Sequence, residues 1–499
     1  MNPLESFCVA TSIAPGNVEI QTKAINSWLR EGFHVVSINS GQEIEALSPI
    51  YPQVRFVEST RDARDKFAKP YIYFDDFLDF FKSSGYRRFG LINSDIVLAP
   101  LDDEGRNLIW KCTGHALLFG SRLNVESLDE PHDGTIFHMG YDFFFFDEHY
   151  LDLFPRSNFC IGLPWWDYWA VVVPILKGMP THRMISQIAL HQIHEVKWDP
   201  DVWHSLGDEF GQFMKPYLEF TDIYTLNTST VACIEEKSSV QIARRFRTDA
   251  KVAVVLDRKD TTGDTPAIES LRRQTMPGVH ILNANSPSLA SELREYDYIY
   301  FMEEGDVIPP YFLEYMCSEI WDKAYVQCCF RILGAWGMDY TFRLRVDRNS
   351  PPNEKNFVRK SIVFSKEALL RNPNVIDDWT GEEGRFLGTA LIERPFEEYV
   401  LQRVGSRSGA KLYLYGTGKH SKILLDLFKP HGIKVEGLFS PDADLHNTEF
   451  EGCPVYHDRY MTELDFDQVL ISSYTFEKTI YDRISRVIPD YKILRLYFL

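Results

Sequence analysis

The chain begins with two alternating hydrophobic patterns. Phe7 to Ser12 is a mostly apolar run of strand length, and Pro15-Gly16-Asn17 behind it is a turn. Ile20 to Glu31 carries apolar residues at helical spacing (Ile20, Ala24, Ile25, Leu29), and Gly32 predicts the end of that helix. His34 to Asn39 reads as a second strand. Asp75 to Phe81 continues a helix stopped by Ser83-Ser84-Gly85, and the strand Phe89 to Ile92 runs straight into Asn93-Ser94-Asp95. Strands alternating with helices predict an α/β fold with a mostly parallel sheet covered by helices on both faces. Ligands on such sheets lie at the carboxyl ends of the strands. Asn93-Ser94-Asp95 stands at such an end.

Two seams divide the pattern. Gln241 to Lys251 is polar and basic and precedes a buried-strand run, Val252 to Leu256. Gly405-Ser406-Arg407-Ser408-Gly409 is a flexible connector before another, Leu412 to Tyr415. Residues 1–240, 250–404 and 409–499 are therefore expected to be separate α/β domains. The length of 499 residues suits about three domains at roughly 150 residues each. Pro351-Pro352-Asn353 marks a loop inside the second.

Composition narrows the classes. The chain is 44% hydrophobic and 25% charged, which suits a folded protein rather than a disordered one. Lys plus Arg total 53 against 71 for Asp plus Glu, a net charge of −18, which argues against a general nucleic-acid binder. The longest apolar stretch, Trp169 to Leu176, contains Pro174 and falls far short of the roughly 20 residues a transmembrane helix needs. No secretory signal is expected at the N-terminus. The eight cysteines are scattered without a Cys-x-x-Cys pair, so a reducing, cytoplasmic setting is expected.

Asp95 is the first candidate for chemistry. A carboxylate at the tip of a buried strand is costly unless a cation or hydrogen-bond donors satisfy it. Two readings stay open: a ligand for Mg²⁺ or Mn²⁺ shared with diphosphate oxygens, or a turn or helix-cap aspartate. His191-Gln192-x-His194, followed by Glu195 and Trp198-Asp199, is expected to carry both imidazoles on one face of an extended segment. Imidazole completes the shell of a softer divalent ion such as Mn²⁺; the alternative is one buried, hydrogen-bonded histidine and one exposed. Asp167 is embedded among Trp165, Trp166, Tyr168 and Trp169. Apolar surroundings raise an acid toward the useful range for a general base, and flat rings such as Trp166 and Trp169 suit stacking on sugars. The competing reading is aromatic core with Asp167 as a helix cap. Asp142, inside an aromatic run, requires either a sugar hydroxyl or an arginine such as Arg122. Arg244, Arg245 and Arg247 either approach an anionic lipid-linked diphosphate, a peripheral membrane contact, or occupy a solvated linker helix.

Four blocks in order, Asn93-Ser94-Asp95-Ile96, Gly140-x-Asp142-x-Phe144-x-Phe146, Ile161-Gly162-x-Pro164-x-Trp166-Asp167-x-Trp169 and His191-Gln192-x-His194, resemble nucleotide-diphospho-sugar transferases of the GT-A fold over about residues 5–200. The resemblance implies that Asp95 is the retained acid of an Asp-x-Asp motif, that His191 or His194 is a late metal ligand, and that Asp167 lies near the acceptor hydroxyl. Asn93 stands where many such enzymes have Asp. Thr11, Ser12 and Arg64 or Lys69 would lie near the nucleoside and diphosphate. Residues 267–275 and 298–309 resemble family 2 glycosyltransferases, but Glu303 replaces an expected Asp and Gly305 a second carboxylate, so that unit is either active or degenerate. Trp379 to Glu383 resembles that family's late catalytic-acid segment. Tyr415-Gly416-Thr417-Gly418-Lys419-His420-Ser421 resembles the phosphate turn of small Rossmann-like nucleotide-binding domains found in polysaccharide-synthesis proteins, with Gly416 and Gly418 approaching phosphate. The function implied is a metal-dependent glycosyltransferase, using Mn²⁺ or Mg²⁺, that moves a sugar from a nucleotide-diphosphate donor to a glycan or lipid-linked acceptor in surface-polysaccharide assembly. The alternatives are a non-catalytic nucleotide-sugar or carbohydrate-binding scaffold, and an oxidoreductase using the last unit.

Overall fold

The computed structural model describes residues 3–497 except 130–133, 138, 195–198, 258–264, 321–322, 336–337, 343–354, 356–357, 377–378, 406–409 and 474–475. The connector residues 406–409, the loop at 351–353, and Glu195 and Trp198 therefore lie outside the described residues. The protein is α/β, with four sheets along the chain.

The first stretch supplies β1 (Phe7–Thr11), β2 (His34–Asn39), β3 (Arg55–Glu58), β4 (Arg88–Ile92), β5 (Val97–Leu98), β6 (Leu117–Gly120), β7 (Leu123–Val125), β8 (Thr135–Ile136), β9 (Phe143–Asp147), β10 (Thr181–Met184), β11 (Ala189–Gln192) and β12 (Ser239–Gln241). Eight of them form one sheet in the order β12-β10-β6-β9-β4-β1-β2-β3. All neighbours are parallel except those of β9, which runs against both β4 and β6. The other four form a small sheet, β5-β11-β7-β8.

Strand β9 shows why this sheet is a core. Phe143 and Phe145 enter one apolar cluster with Trp28 and Ile109, while Phe144 and Phe146 enter the opposite one with Phe77 and Trp169. Alternate side chains of a strand point to opposite faces, and both faces here are covered by helices, so every ring is buried. Each such side chain contributes about 1.5–3 kcal/mol of hydrophobic stabilisation. Backbones approach closely: a Cβ on Gly120 would lie 2.3 Å from the Phe143 ring.

The second stretch supplies β13 (Val252–Asp257), β14 (Val279–Asn283), β15 (Tyr298–Glu303), β16 (Tyr325–Ala335), β17 (Met338–Phe342), β18 (Ile362–Ser365) and β19 (Gly384–Pro395). Their order is β14-β13-β15-β18-β16-β17, with β19 also on β16. β13 is parallel to β14 and β15, and β18 runs against β15 and β16. This repeats, in shortened form, the β2-β1-β4-β9-β6 path of the first sheet.

The third stretch supplies β20 (Leu412–Tyr415), β21 (Val435–Ser440), β22 (Glu449–Phe450), β23 (Cys453–His457), β24 (Gln468–Ile471) and β25 (Ile493–Leu494), in the order β22-β23-β21-β20-β24-β25. All pairs except β22–β23 are parallel, and the order reverses between β20 and β24.

Among the described residues no helix is long and apolar enough to cross a membrane. The basic cluster is not a solvated helix. Residues 242–249 form no helix, and each arginine is paired: Arg244 with Glu314, Arg245 with Asp102 and Glu319, Arg247 with Asp297 and Asp249. Arg245 is mostly buried in its pairs, whereas Arg244 and Arg247 keep 65% and 69% of their side-chain surface exposed. The eight cysteines are free thiols, six of them buried.

Candidate functional site

Strand β4 leaves the sheet through a tight turn in which Ile96 N–H donates to the Asn93 carbonyl at 3.1 Å. The helix Val18–Arg30 pins the far side of this turn: Trp28 Nε1 donates to the Ile96 carbonyl, and Ser27 Oγ accepts from Leu98 N–H, each at 2.9 Å. Asp95 is held inside that turn. In the small sheet Leu190 pairs with Val97 and His191 with Asn124, so the register carries His191 beside the Asp95 turn.

Three donor atoms converge there. His191 Nε2 and His194 Nε2 each lie 3.5 Å from Asp95 Oδ2 and 3.3 Å from one another. A point equidistant from such a triangle is about 2 Å from every corner, the length of a divalent metal's bonds to nitrogen and oxygen ligands. The carboxamide oxygen of Asn124 accepts from His191 Nδ1 at 3.0 Å and from Arg122 Nε at 3.0 Å. A donor role for Nδ1 leaves the Nε2 lone pair aimed at the other two ligands, which is how metal-binding histidines are oriented. The residues present therefore fit a divalent ion. Burial works to raise the Asp95 carboxyl, but the two imidazoles, which donate to it when protonated, and the charge of Arg122 outweigh burial and hold it well below the usual carboxylate range; a bound ion would take the place of those protons. A simple extended segment does not bring the histidines together, because residues three apart on a strand face opposite ways. β11 ends at Gln192, and His194 reaches back from the chain beyond it.

Around this triangle lies a polar network. Asn93 Nδ2 and Arg122 Nη1 donate to Asp142 Oδ1 at 3.0 and 2.8 Å, while Asn93 N–H donates to the Asp142 carbonyl. Arg122 is the partner Asp142 requires, yet Asp142 Oδ2 is buried with no hydrogen-bond partner among the described residues. One residue back, Tyr141 N–H donates to Asp167 Oδ2 at 3.0 Å. Enclosure by protein atoms pushes the Asp167 carboxyl up to about 7, the Tyr141 hydrogen bond opposing and the Asp142 charge assisting.

The register Ala10–Leu91 brings Thr11 and Ser12 out of the sheet beside Ile92 and Asn93, at the same carboxyl edge. Thr11 is fully buried and its hydroxyl oxygen has no partner among the described residues; Ser12 Oγ accepts from Asn39 at 3.4 Å. Lys69 is exposed and no contact among the described residues ties it to that edge.

Trp166 and Trp169 require a correction. Both are 3% exposed and sit in the helix Trp166–Leu176, their rings against Phe74, Phe144, Phe159 and Phe213. They cannot stack on a sugar. The helix is apolar on nearly every side, and such helices are buried. Gly416 and Gly418 belong to a different sheet, on the turn between β20 and the helix Lys419–Phe428 where the strand order reverses. Gly416 has φ +118°, a conformation that excludes most side chains, and its carbonyl accepts from Ser421 Oγ.

Asn124 is the functional residue that the sequence reading missed. Its signal was available: Arg122 and Asn124 alternate around Leu123, so both polar side chains leave one face of a short strand. A second His-Asp-His group, His115, Asp147 and His149, lies at the opposite end of β9. Both Asp147 oxygens there already accept backbone N–H groups, from His115 and His149.

Fold and site thus define an α/β protein in which a carboxylate just beyond β4 of the first sheet meets one imidazole from β11 of the small sheet and a second from the chain beyond that strand. The family model described as "C2185-like, N-terminal" matches residues 408–494, the third stretch alone. No curated protein matches the chain. Among solved structures, the inositol-1-phosphate CTP transferase from T. maritima is 11% identical, with all of its chain set against 44% of this one at a TM-score of 0.24. A likeness at that level carries no argument about this chain.

Proposed function

We propose that the segment 1–240 is a metal-dependent glycosyltransferase that moves a sugar from a nucleotide-diphosphate donor to a glycan or lipid-linked acceptor. The observation that carries this reading is the triangle of Asp95, His191 and His194 at the tip of β4. Support comes from the sheet, whose one reversed strand, β9, lies directly beside β4.

Asp95, His191 and His194 would hold the ion, Mn²⁺ or Mg²⁺, with Asn124 orienting His191. Such an ion supplies Lewis-acid neutralisation of a departing diphosphate. Thr11 and Ser12, at the same edge, would meet the nucleotide. Among the described residues Asp142 Oδ2 is an acceptor without a donor, and a donor-sugar hydroxyl would satisfy it. Asp167, raised to about 7, holds its proton in acid and would take the acceptor hydroxyl's proton at neutral pH and above.

The test is donor hydrolysis: pure protein with Mn²⁺ and a panel of UDP-, GDP- and TDP-sugars, with free nucleotide as the readout. Turnover that vanishes in Asp95→Ala is the expected result. Absence of turnover in the wild type, or equal turnover in the variant, would favour the scaffold reading. One observation favours that reading for the second stretch: its strand-tip acid Asp306 is already bound by Arg394 at 2.7 Å.

A further inference from the structure

The end of the first sheet away from Asp95 carries donors of its own. Strands β6 and β9 run antiparallel with Leu118 opposite Phe145, a register that, carried two residues further, sets Ala116 against Asp147. The chain entering β6 from the helix Asp103–Cys112 therefore meets the chain leaving β9 at the 3-10 turn Glu148–Tyr150. His115 belongs to the first of these segments, and Asp147 and His149 to the second.

Backbone bonds hold the three together. Asp147 caps the turn, its Oδ1 accepting from His149 N–H at 3.0 Å, and its Oδ2 accepts from His115 N–H at 2.7 Å. His115 stands at φ +66°, a left-handed conformation that costs a residue with a Cβ more than it costs glycine. The result is two imidazoles with ring centres 4.2 Å apart against one carboxylate. His149 Nδ1 lies 3.1 Å from Asp147 Oδ1, and His115 Nδ1 lies 3.9 Å from Asp147 Oδ2.

One ligand atom from each residue falls within 4.8 Å of the other two. Donors bound to a tetrahedral ion at about 2.0–2.1 Å are roughly 3.3 Å apart. The separations of 3.1 and 3.9 Å bracket that spacing, and His115 and His149, 76% and 51% exposed, have room to rotate onto it. The hydrogen bonds to Asp147 do not use it up. Each carboxylate oxygen has two lone pairs, and carboxylates that bind metals are hydrogen-bonded as well. Arg88, opposite Asp147 in β4, is engaged elsewhere: its guanidinium lies 3.7 Å over the Trp110 ring and donates to the Trp110 carbonyl and to Thr113 Oγ1. Two of the three donors are imidazoles, which suit Zn²⁺ and its neighbours, whereas Mg²⁺ is held by oxygen ligands.

We infer that His115, Asp147 and His149 form a second metal site, for a divalent ion of the zinc type, which ties the entry of β6 to the exit of β9. The inference rests neither on the Asp95 triangle nor on the transferase reading.

The experiment is a Zn²⁺ titration of the full chain, stripped with EDTA, against a chromophoric chelator in excess Mg²⁺. The chain carrying Asp95→Ala and His191→Ala, in which the triangle is dismantled, should still bind one Zn²⁺. Loss even of a ligand's outer partner costs about 10–100-fold in affinity, so adding His115→Ala or His149→Ala should weaken that ion at least tenfold. Both imidazoles are exposed, so neither change should lower the melting temperature of the metal-free protein, and Zn²⁺ should raise it only where both histidines are present. With the triangle intact, His115→Ala should lower the number of bound zinc ions by one whether or not the triangle takes zinc, so the two sites fail separately. No Zn²⁺ held by the chain lacking the triangle overturns the inference. So does zinc held equally with and without His115 and His149, which is an adventitious ion only, and displacement of that zinc by Mg²⁺ overturns the choice of ion.

Discussion

The tips of β4 and β15 are the same place in two sheets of related order, and they end in opposite electrostatic states. At β4, Asp95 faces two imidazoles that approach each other to 3.3 Å, an arrangement the proposed ion between them would satisfy. At β15, both Asp306 oxygens are engaged, one by Arg394 and one by a backbone N–H of its own turn. Asp95 keeps 31% of its side-chain surface accessible, Asp306 only 10%. A strand-tip acid therefore needs a cation in either case. On the proposed reading the first sheet leaves that cation to be supplied from solvent, whereas the second builds it into β19 as Arg394. What separates a metal site from a packing contact is whether the nearest basic group can also be a ligand.

The comparison breaks most sharply at Asp95. Asp95→Ala removes one of three donors, and the expected result is Mn²⁺-dependent donor hydrolysis reduced to background, read as free nucleotide. Arg394→Ala should behave in the opposite way. It leaves a buried carboxylate without its partner, a loss of about 3–5 kcal/mol, read in denaturant unfolding, with no requirement for metal in the wild type. A variant as stable as the wild type would show that the Asp306 pair does not replace an ion. Smaller still is Asn124→Ala, which touches no ligand atom of the ion but frees the His191 ring. Loss of such an orienting partner costs about 10–100-fold in metal affinity, so Mn²⁺ affinity should fall by that factor while the melting temperature of the metal-free protein stays close to that of the wild type.

Much of this was legible along the chain, and the reason is local patterning. The strand His34–Asn39 falls at its expected limits, and the helix after the Pro15-Gly16-Asn17 turn ends just before Gly32. Asn93-Ser94-Asp95 declared itself because a polar run comes directly after four buried residues. Strand direction carries no such mark: Phe143–Phe146 reads the same whichever way it runs, so the reversal of β9 was invisible. The meeting of Asp95 with His191 depends on β5, β7 and β11, strands of two to four residues, too short to show a period of two. The tryptophans failed for a different reason. Aromatic content suggested a sugar platform, whereas Ala170-Val171-Val172-Val173 just after them already described a helix with no polar face.

The smallest expected effect concerns Asp167, whose proton couples folding to pH. In the folded chain the carboxyl keeps that proton up to about pH 7, and in the unfolded chain it releases it near 4. Between those values the folded state binds more protons than the unfolded one. Stability then falls as pH rises from about 4 to 7, and the loss is complete above that range. Asp167→Asn removes this slope, so unfolding midpoints measured from pH 5 to 8 should decline less in the variant, which gains relative to the wild type at pH 8. The acceptor-dependent rate should move the other way: in the wild type it rises with pH around a midpoint near 7, and in the variant it is low at every pH. Parallel stability curves for the two proteins would mean that Asp167 is an ordinary solvated acid, and the base assigned to the first sheet would have to be sought elsewhere.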